Sequence, residues 1–171
     1  VVYLGYPYDH LVTHGKLAFK ETGLYANGSL FSTFSYPVLQ GDIDRLDEVT
    51  NSIAISESMA RKLFGRDWEN NTLGEIILLN DKDELSVEMV FEDLPENASW
   101  KFDFVANVAY RVKNNQWLLE WGNKGMAGVV LLREGADKEA AISKINDIYK
   151  ASEAYEEGEF TIAQNYEDAY L

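Results

Sequence analysis

Apolar and polar positions along the chain group into short runs broken by turn residues, with two stretches that carry helical periodicity. Val1 to Leu4 reads as a short strand, and Leu17 to Tyr25 as an extended piece. Gly5 to Gly15, with Pro7, reads as a loop. Phe31 to Leu39 is a short apolar stretch that closes at Gly41-Asp42, a turn signal. Asp42 to Thr50 is acidic and expected to be exposed. In Ser52 to Ile55, Ile53 and Ile55 alternate with Ser52 and Ala54, as in a strand. Ser56 then offers a hydroxyl to cap a helix, Glu57 suits its first turn, and Arg61 and Lys62 suit its last. Met59, Ala60, Leu63 and Phe64 share one face, and Gly65 can take the left-handed closing conformation.

Further on, Gly74 to Asn80 and Leu85 to Phe91 bracket a polar tip, which predicts a hairpin ended by Pro95. Leu85, Val87 and Met89 are expected on one side of its second strand. Phe102 to Val108 reads as extended, and Asn114 to Trp121 as a short helix carrying Trp117, Leu118 and Trp121. Gly125 to Leu132 reads as a buried strand. Asp137 to Ala151 is the second clear helix, capped by Asp137, with Ala141, Ile142, Ile145, Ile148 and Tyr149 as its buried stripe. Glu159 to Ala163 alternates as a strand. Strands, a hairpin and two helices that each follow a strand make the fold class α+β.

Composition narrows the function classes. The 171 residues suit one domain or two small subdomains. A hydrophobic share of 46% with 26% charged residues is that of a globular protein. Net charge is −14, from 29 acids against 15 Lys and Arg, a surface that repels phosphate backbones and anionic headgroups. There is no cysteine, which removes disulfides, thiolate zinc sites and thiol catalysis. No apolar run approaches the ~20 residues that cross a bilayer. The chain starts Val1-Val2-Tyr3 without Met and reads as a fragment, so this describes the fragment and not its parent.

Candidate chemistry is sparse. His10 and His14 have a spacing that would put two imidazoles on one helix face, but Pro7 and Gly15 flank them and a His-Glu-x-x-His pattern is missing. They read as surface or packing histidines. Asp42, Asp44, Asp47 and Glu48 lack the Gly and final Glu of a calcium loop and read as a solvated face. Asp81, Asp83 and Glu84 read as a hairpin tip. Asn-x-Ser/Thr triplets at Asn27, Asn70 and Asn97 read as turns. The nucleophile elbow, the phosphate loop and the dinucleotide fingerprint are all absent. Trp100, Trp117 and Trp121 suit either a ligand face or packing, and packing is the expectation. No residue is assigned a catalytic, cofactor-binding or metal-binding role, and no cofactor is expected.

The order of motifs resembles a known family. Phe31 to Asp42, with its Phe-x-x-Phe-Ser, Pro37, Leu39 and Gly41-Asp42, resembles an element of MacB-like periplasmic core domains. Asn51 to Gly65 resembles their strand and helix, and Leu73-Gly74 with Val87 to Pro95 their hairpin. Glu96 to Ser99 with Phe102-Asp103-Phe104 resembles the continuation. Trp121-Gly122-Asn123, Val130 to Leu132 and Glu134 to Asp137 complete the match, over about residues 24–150. The variant is similar to that of Bacteroidetes-type bacteria. Met89-Val90 stands where the family has Gly-Val, and Thr72-Leu73 precedes Gly74 where Pro-Ile is usual.

The resemblance implies an extracytoplasmic domain of a MacB/FtsX-type ABC transporter permease, placed between the first and second of four membrane helices. It implies a porter-like α/β subdomain (residues 1–73 and 126–171) with an inserted, mostly β, Sabre-like subdomain (74–125). It implies no catalysis, a location on the periplasmic face of the bacterial inner membrane, and a role in passing ATP-driven motion to export or envelope signalling. Implied partners are a second permease protomer, a cytoplasmic ATPase subunit or domain, and a periplasmic adaptor or envelope protein. No nucleic acid is among them, and the isolated fragment is expected to be monomeric. The competing reading is a free-standing secreted glycan-binding module or hydrolase, which needs paired carboxylates in a cleft or an exposed aromatic platform.

Overall fold

A computed structural model describes residues 1–98, 100–120 and 125–152. Trp121 to Lys124, Ser99 and the tail from 153 onward, with the strand expected at Glu159 to Ala163, lie outside the described residues.

The described strands are β1 (Val2–Leu4), β2 (Tyr8–His14), β3 (Leu17–Ala26), β4 (Val38–Gly41), β5 (Ser52–Ser56), β6 (Ile76–Leu79), β7 (Asp83–Phe91), β8 (Phe104–Asn107) and β9 (Ala127–Val129). The helices are α1 (Ser29–Thr33), α2 (Ile43–Glu48), α3 (Glu57–Phe64), α4 (Trp68–Asn71), α5 (Val108–Asn114) and α6 (Lys138–Lys150), with a 3-10 turn at Gln116–Leu119. All nine strands share one sheet, ordered β2-β6-β7-β5-β8-β3-β1-β9, with β4 on β7. A further pairing of β2 with β3 closes six of these strands into a ring. β3 pairs β8 in parallel and β5 pairs β7 in parallel; the other pairings are antiparallel, so the α+β expectation holds.

Two apolar clusters lie on opposite faces of the central strands. Ile53, Ile55, Phe104 and Ala106 point to one, with α3 (Met59, Ala60, Leu63) and Trp68. Ala54 and Val105, their neighbours of opposite parity, point to the other, with Leu30 and Phe31 of α1 and Leu46 of α2. Every residue of β5 is therefore buried, and its polar ends are satisfied: the Ser52 hydroxyl donates to the Leu46 carbonyl at 2.6 Å.

The sequence signals around α3 act as expected. The Ser56 side chain accepts from Met59 N–H at 3.2 Å, and Gly65 closes the helix with φ 78°. Its ψ of −154° puts it in a region open essentially to glycine alone, not in the left-handed helical one.

Several expectations are corrected. Residues 8–14 form a strand, not a loop; His10 and Val12 point inward in alternation with exposed Asp9 and Leu11, so a buried histidine interrupts the apolar pattern. Residues 43–48 form a helix: its acids are exposed as expected, but Leu46 within the run is fully buried. On β7 the pairing register with β5 slips between Ile53 and Ala54, where Val87 and then Met89 are the partners, so Glu88 is an extra residue. Val87 consequently faces one cluster and Met89 the other. β9 covers only 127–129, and Val130 to Leu132 are exposed instead of forming a buried strand. α6 is capped by Asp137 as expected, through Ala140 N–H at 3.1 Å, yet contains no buried residue. Of its apolar stripe, Ala141, Ile142, Ile145 and Tyr149 are half-buried and Ile148 is exposed.

β6, β7 and β8, from the segment expected as an insertion, hydrogen-bond to β2, β4, β5 and β3, all of which precede it in the chain.

Candidate functional site

The motifs singled out in the sequence converge on one joint at the start of α3. Ser56 ends β5 and caps α3 at Met59 N–H. The next free helical N–H, that of Ser58, donates to Asp93 Oδ1 at 2.9 Å, and the Ser58 hydroxyl donates to Asp93 Oδ2. The acid of the Asp93-Leu94-Pro95 motif is thus a second cap, contributed from beyond β7 to a helix 35 residues upstream. Asp103 binds the other side of the joint: Thr22 N–H donates to its Oδ2 at 3.1 Å, its own N–H donates to the Thr22 carbonyl, and its carbonyl accepts from Ser56 N–H. A hollow of about 380 Å³ opens here, lined by Ser58, Asp93, Pro95, Lys101 and Asp103 among others.

Nearby, Glu21 is buried at 5% exposure, and both of its oxygens accept from Lys62 Nζ, at 2.8 and 3.1 Å. That bond, more than any distant charge, raises the Lys62 pKa. It pins α3 to β3. A second joint uses Gly41-Asp42. Gly41 lies against the β7 bulge so closely that a Cβ would sit 2.1 Å from the Glu88 carbonyl oxygen. Asp42 caps α2 through Asp44 N–H at 2.9 Å, and Arg45 of α2 pairs with Glu88 at 3.2 Å.

These groups are occupied by one another. Asp93 and Asp103 accept from backbone and hydroxyl donors of the same joint, an arrangement suited to holding strand and helix ends together.

The remaining nominated residues are dispersed. His10 and His14 lie on a strand, not a helix, so at ~3.3 Å per residue they are ~13 Å apart along it. His10 is 2% exposed with its Nδ1 3.0 Å from Asn80 Nδ2, while His14 meets Glu75 at 3.4 Å and packs at a tilt against Phe64. Asp47 accepts from Gly28 N–H at 2.7 Å, and Glu48 lies 3.9 Å from Arg45. Asp81 accepts from the Thr13 hydroxyl and Asp83 from the Tyr110 hydroxyl, at 3.2 and 2.9 Å. Among the described residues, no three His, Cys, Asp or Glu gather as a metal would require. Trp100 is buried at 7% exposure, but Trp117 is 49% exposed, against the expectation of packing; Trp121 is outside the described residues. Sequence reading passed over Asp93, Glu88 and Glu21, whose partners are remote in the chain. The Asp-Leu-Pro motif was the one available signal for the first of these.

No helix among the described residues is long and apolar enough to cross a membrane. The family described as MacB-like periplasmic core domain matches residues 6–148. Comparison with curated proteins gave no match. Among solved structures, a domain from Porphyromonas gingivalis described as part of a permease protein aligns with TM-score 0.70 and 22% identity, over 90% of this chain and 71% of that one. The periplasmic region of MacB from Actinobacillus actinomycetemcomitans aligns with TM-score 0.60 and 15% identity, over 87% of this chain and 65% of that one. The extracellular domain of the noncanonic ABC-type transporter YknZ from Gram-positive bacteria aligns with TM-score 0.56 and 18% identity, over 90% and 78%. At such identities the structural likeness shows the fold.

Proposed function

Because this chain belongs to the MacB-like periplasmic core domain family, a part of ABC transporter permeases, we propose that it is a non-catalytic relay outside the membrane. In this reading a cytoplasmic ATPase subunit or domain supplies the energy. Two permease protomers carry one such domain each, and ATP-driven motion moves the pair together and apart. A periplasmic adaptor or envelope protein receives that motion. The observation that carries the reading is mechanical. A relay has to move as a unit, and here the nine described strands share one sheet while α3 and α2 are bolted to it by Asp93 and Arg45. Ser56, Ser58, Asp93 and Asp103, which line the larger hollow, are used for that bolting.

The relay reading is tested on the isolated domain, incubated with ATP and with a panel of chromogenic glycosides. No turnover of either is expected. Turnover that a single substitution in this chain abolishes would overturn the reading and restore the free-standing hydrolase.

A further inference from the structure

β9 pairs with β1 in a simple antiparallel register: Leu4 stands opposite Ala127, Tyr3 opposite Gly128 and Val2 opposite Val129. One step further, the same register puts Val1 opposite Val130. Leu131 and Leu132 then face the two positions that precede Val1.

Burial changes at the same point. Val2 and Leu4 are buried in the cluster that holds Phe31 and Val105, while Tyr3 between them is exposed. Val129, opposite Val2, packs against that cluster too. Opposite residues of a pair share a face, and faces alternate along each strand, so Leu131 follows Val129 on the core side. Leu131 is nevertheless 71% exposed, and Val130 and Leu132 on either side of it are exposed as well. From Gly125 to Leu132 the chain carries no charge and no proline, although its net charge is −14. Edges meant to face water are blunted by such residues, and three consecutive exposed apolar side chains mark a segment made for a partner.

The register says where that partner lies: in line with β1. The chain spans 71% of the Porphyromonas gingivalis domain and 65% of the MacB periplasmic region, so both contain polypeptide with no counterpart here. A second copy fits less well, because two chains of net charge −14 repel each other. We propose that the parent polypeptide directly before Val1 continues β1 as the antiparallel partner of Val130 to Leu132. Its residue next to Val1 is apolar and covers Leu131 on the core side. In the relay reading this longer strand is where motion enters the sheet; only that role rests on the reading, and the pairing does not.

The test uses the full-length permease with one cysteine placed directly before Val1 and a second as Leu131→Cys. Opposite residues of an antiparallel pair have Cα atoms ~4.5–5.5 Å apart, within reach of a disulfide. Oxidation is expected to close an intramolecular disulfide, read by mass after proteolysis. With Gly128→Cys in place of Leu131→Cys the second cysteine stands three residues off, ~10 Å away, and no disulfide should form. In the unsubstituted permease, the amides of Val130 to Leu132 should exchange at least ~10-fold more slowly than those of the exposed turn at Gly15-Lys16. No disulfide with Leu131→Cys, an equal yield with Gly128→Cys, or exchange as fast as in the turn would overturn the proposal. A disulfide-linked dimer formed by Leu131→Cys alone would assign the run to a second copy and overturn it as well. The expected disulfide, in a permease whose gap between domains ignores ATP, would leave the pairing standing and remove the relay.

Discussion

Gly41 and Gly65 both hold a positive φ, 84° and 78°, but they answer different demands. Gly65 ends a helix and has nothing within 4 Å of where a Cβ would stand, so only backbone strain opposes a side chain. Gly41 is pressed against the Glu88 carbonyl and Met89 Cα, so strain and collision add. Gly65→Ala is expected to cost about 2 kcal/mol and Gly41→Ala about 3–4 kcal/mol, read from urea unfolding midpoints. Only the first glycine's role was legible in sequence, because its cause is the preceding helix. The second depends on a bulge 47 residues away, and Gly41-Asp42 looked like a simple turn. His10 gives a residue-scale prediction of another kind. Its pKa is lowered by burial and then by Arg111, against Asp83 and Asp9, with Tyr8, Tyr25 and Phe104 around the ring. The unfolded chain takes up a proton near the ordinary value of 6.5 and the folded one only at lower pH. Stability from this group is therefore complete above that pH and lost as pH falls through the folded value. The urea midpoint should drop between about pH 7.5 and pH 5.5, and His10→Phe should flatten that drop. An equal drop in the variant would assign the effect elsewhere.

At the scale of elements, α3 and α6 show what periodicity does and does not reveal. Both are capped as their sequences promise, by Ser56 and Asp137. Both carry an apolar face. α3 sits on β5 and β7 with Met59, Ala60 and Leu63 buried, whereas α6 has no buried residue and Ile148 is 62% exposed. A periodic pattern states that a face is apolar, not that something in the same chain covers it. Leu63→Ala is expected to destabilise by about 2–4 kcal/mol, and Ile148→Asp to stay within about 0.5 kcal/mol, in the isolated domain. A large loss in Ile148→Asp, seen in the same urea titration, would show that α6 docks on its own chain. The β6–β7 hairpin was legible from its polar tip, where Asn80 and Asp81 take positive φ. The Glu88 bulge was not, because it is set by pairing with β5 and β4 rather than by local composition.

For the whole molecule, the α+β class and the family were legible, since short motifs in order survive where single residues do not. Ring closure was hidden. It rests on β2, whose strand character His10 masks, and on Asn80, whose N–H donates to the Leu11 carbonyl while its side chain accepts from Leu11 N–H. Such a closed sheet, with helix ends bolted to it, is expected to move as one body. The 171 residues hold no cysteine, so within this domain only introduced ones take a label. Lys16 in the β2–β3 turn and Asp44 on α2 are exposed positions on different parts of the fold. The most direct measurement is spin-label distances in the full-length permease with its ATPase, with and without ATP. Lys16→Cys in both protomers reports the gap between domains, and Lys16→Cys with Asp44→Cys in one protomer reports the interior. The relay predicts that the first distance changes with nucleotide while the second stays fixed. A fixed gap, or a change inside the domain, would contradict it.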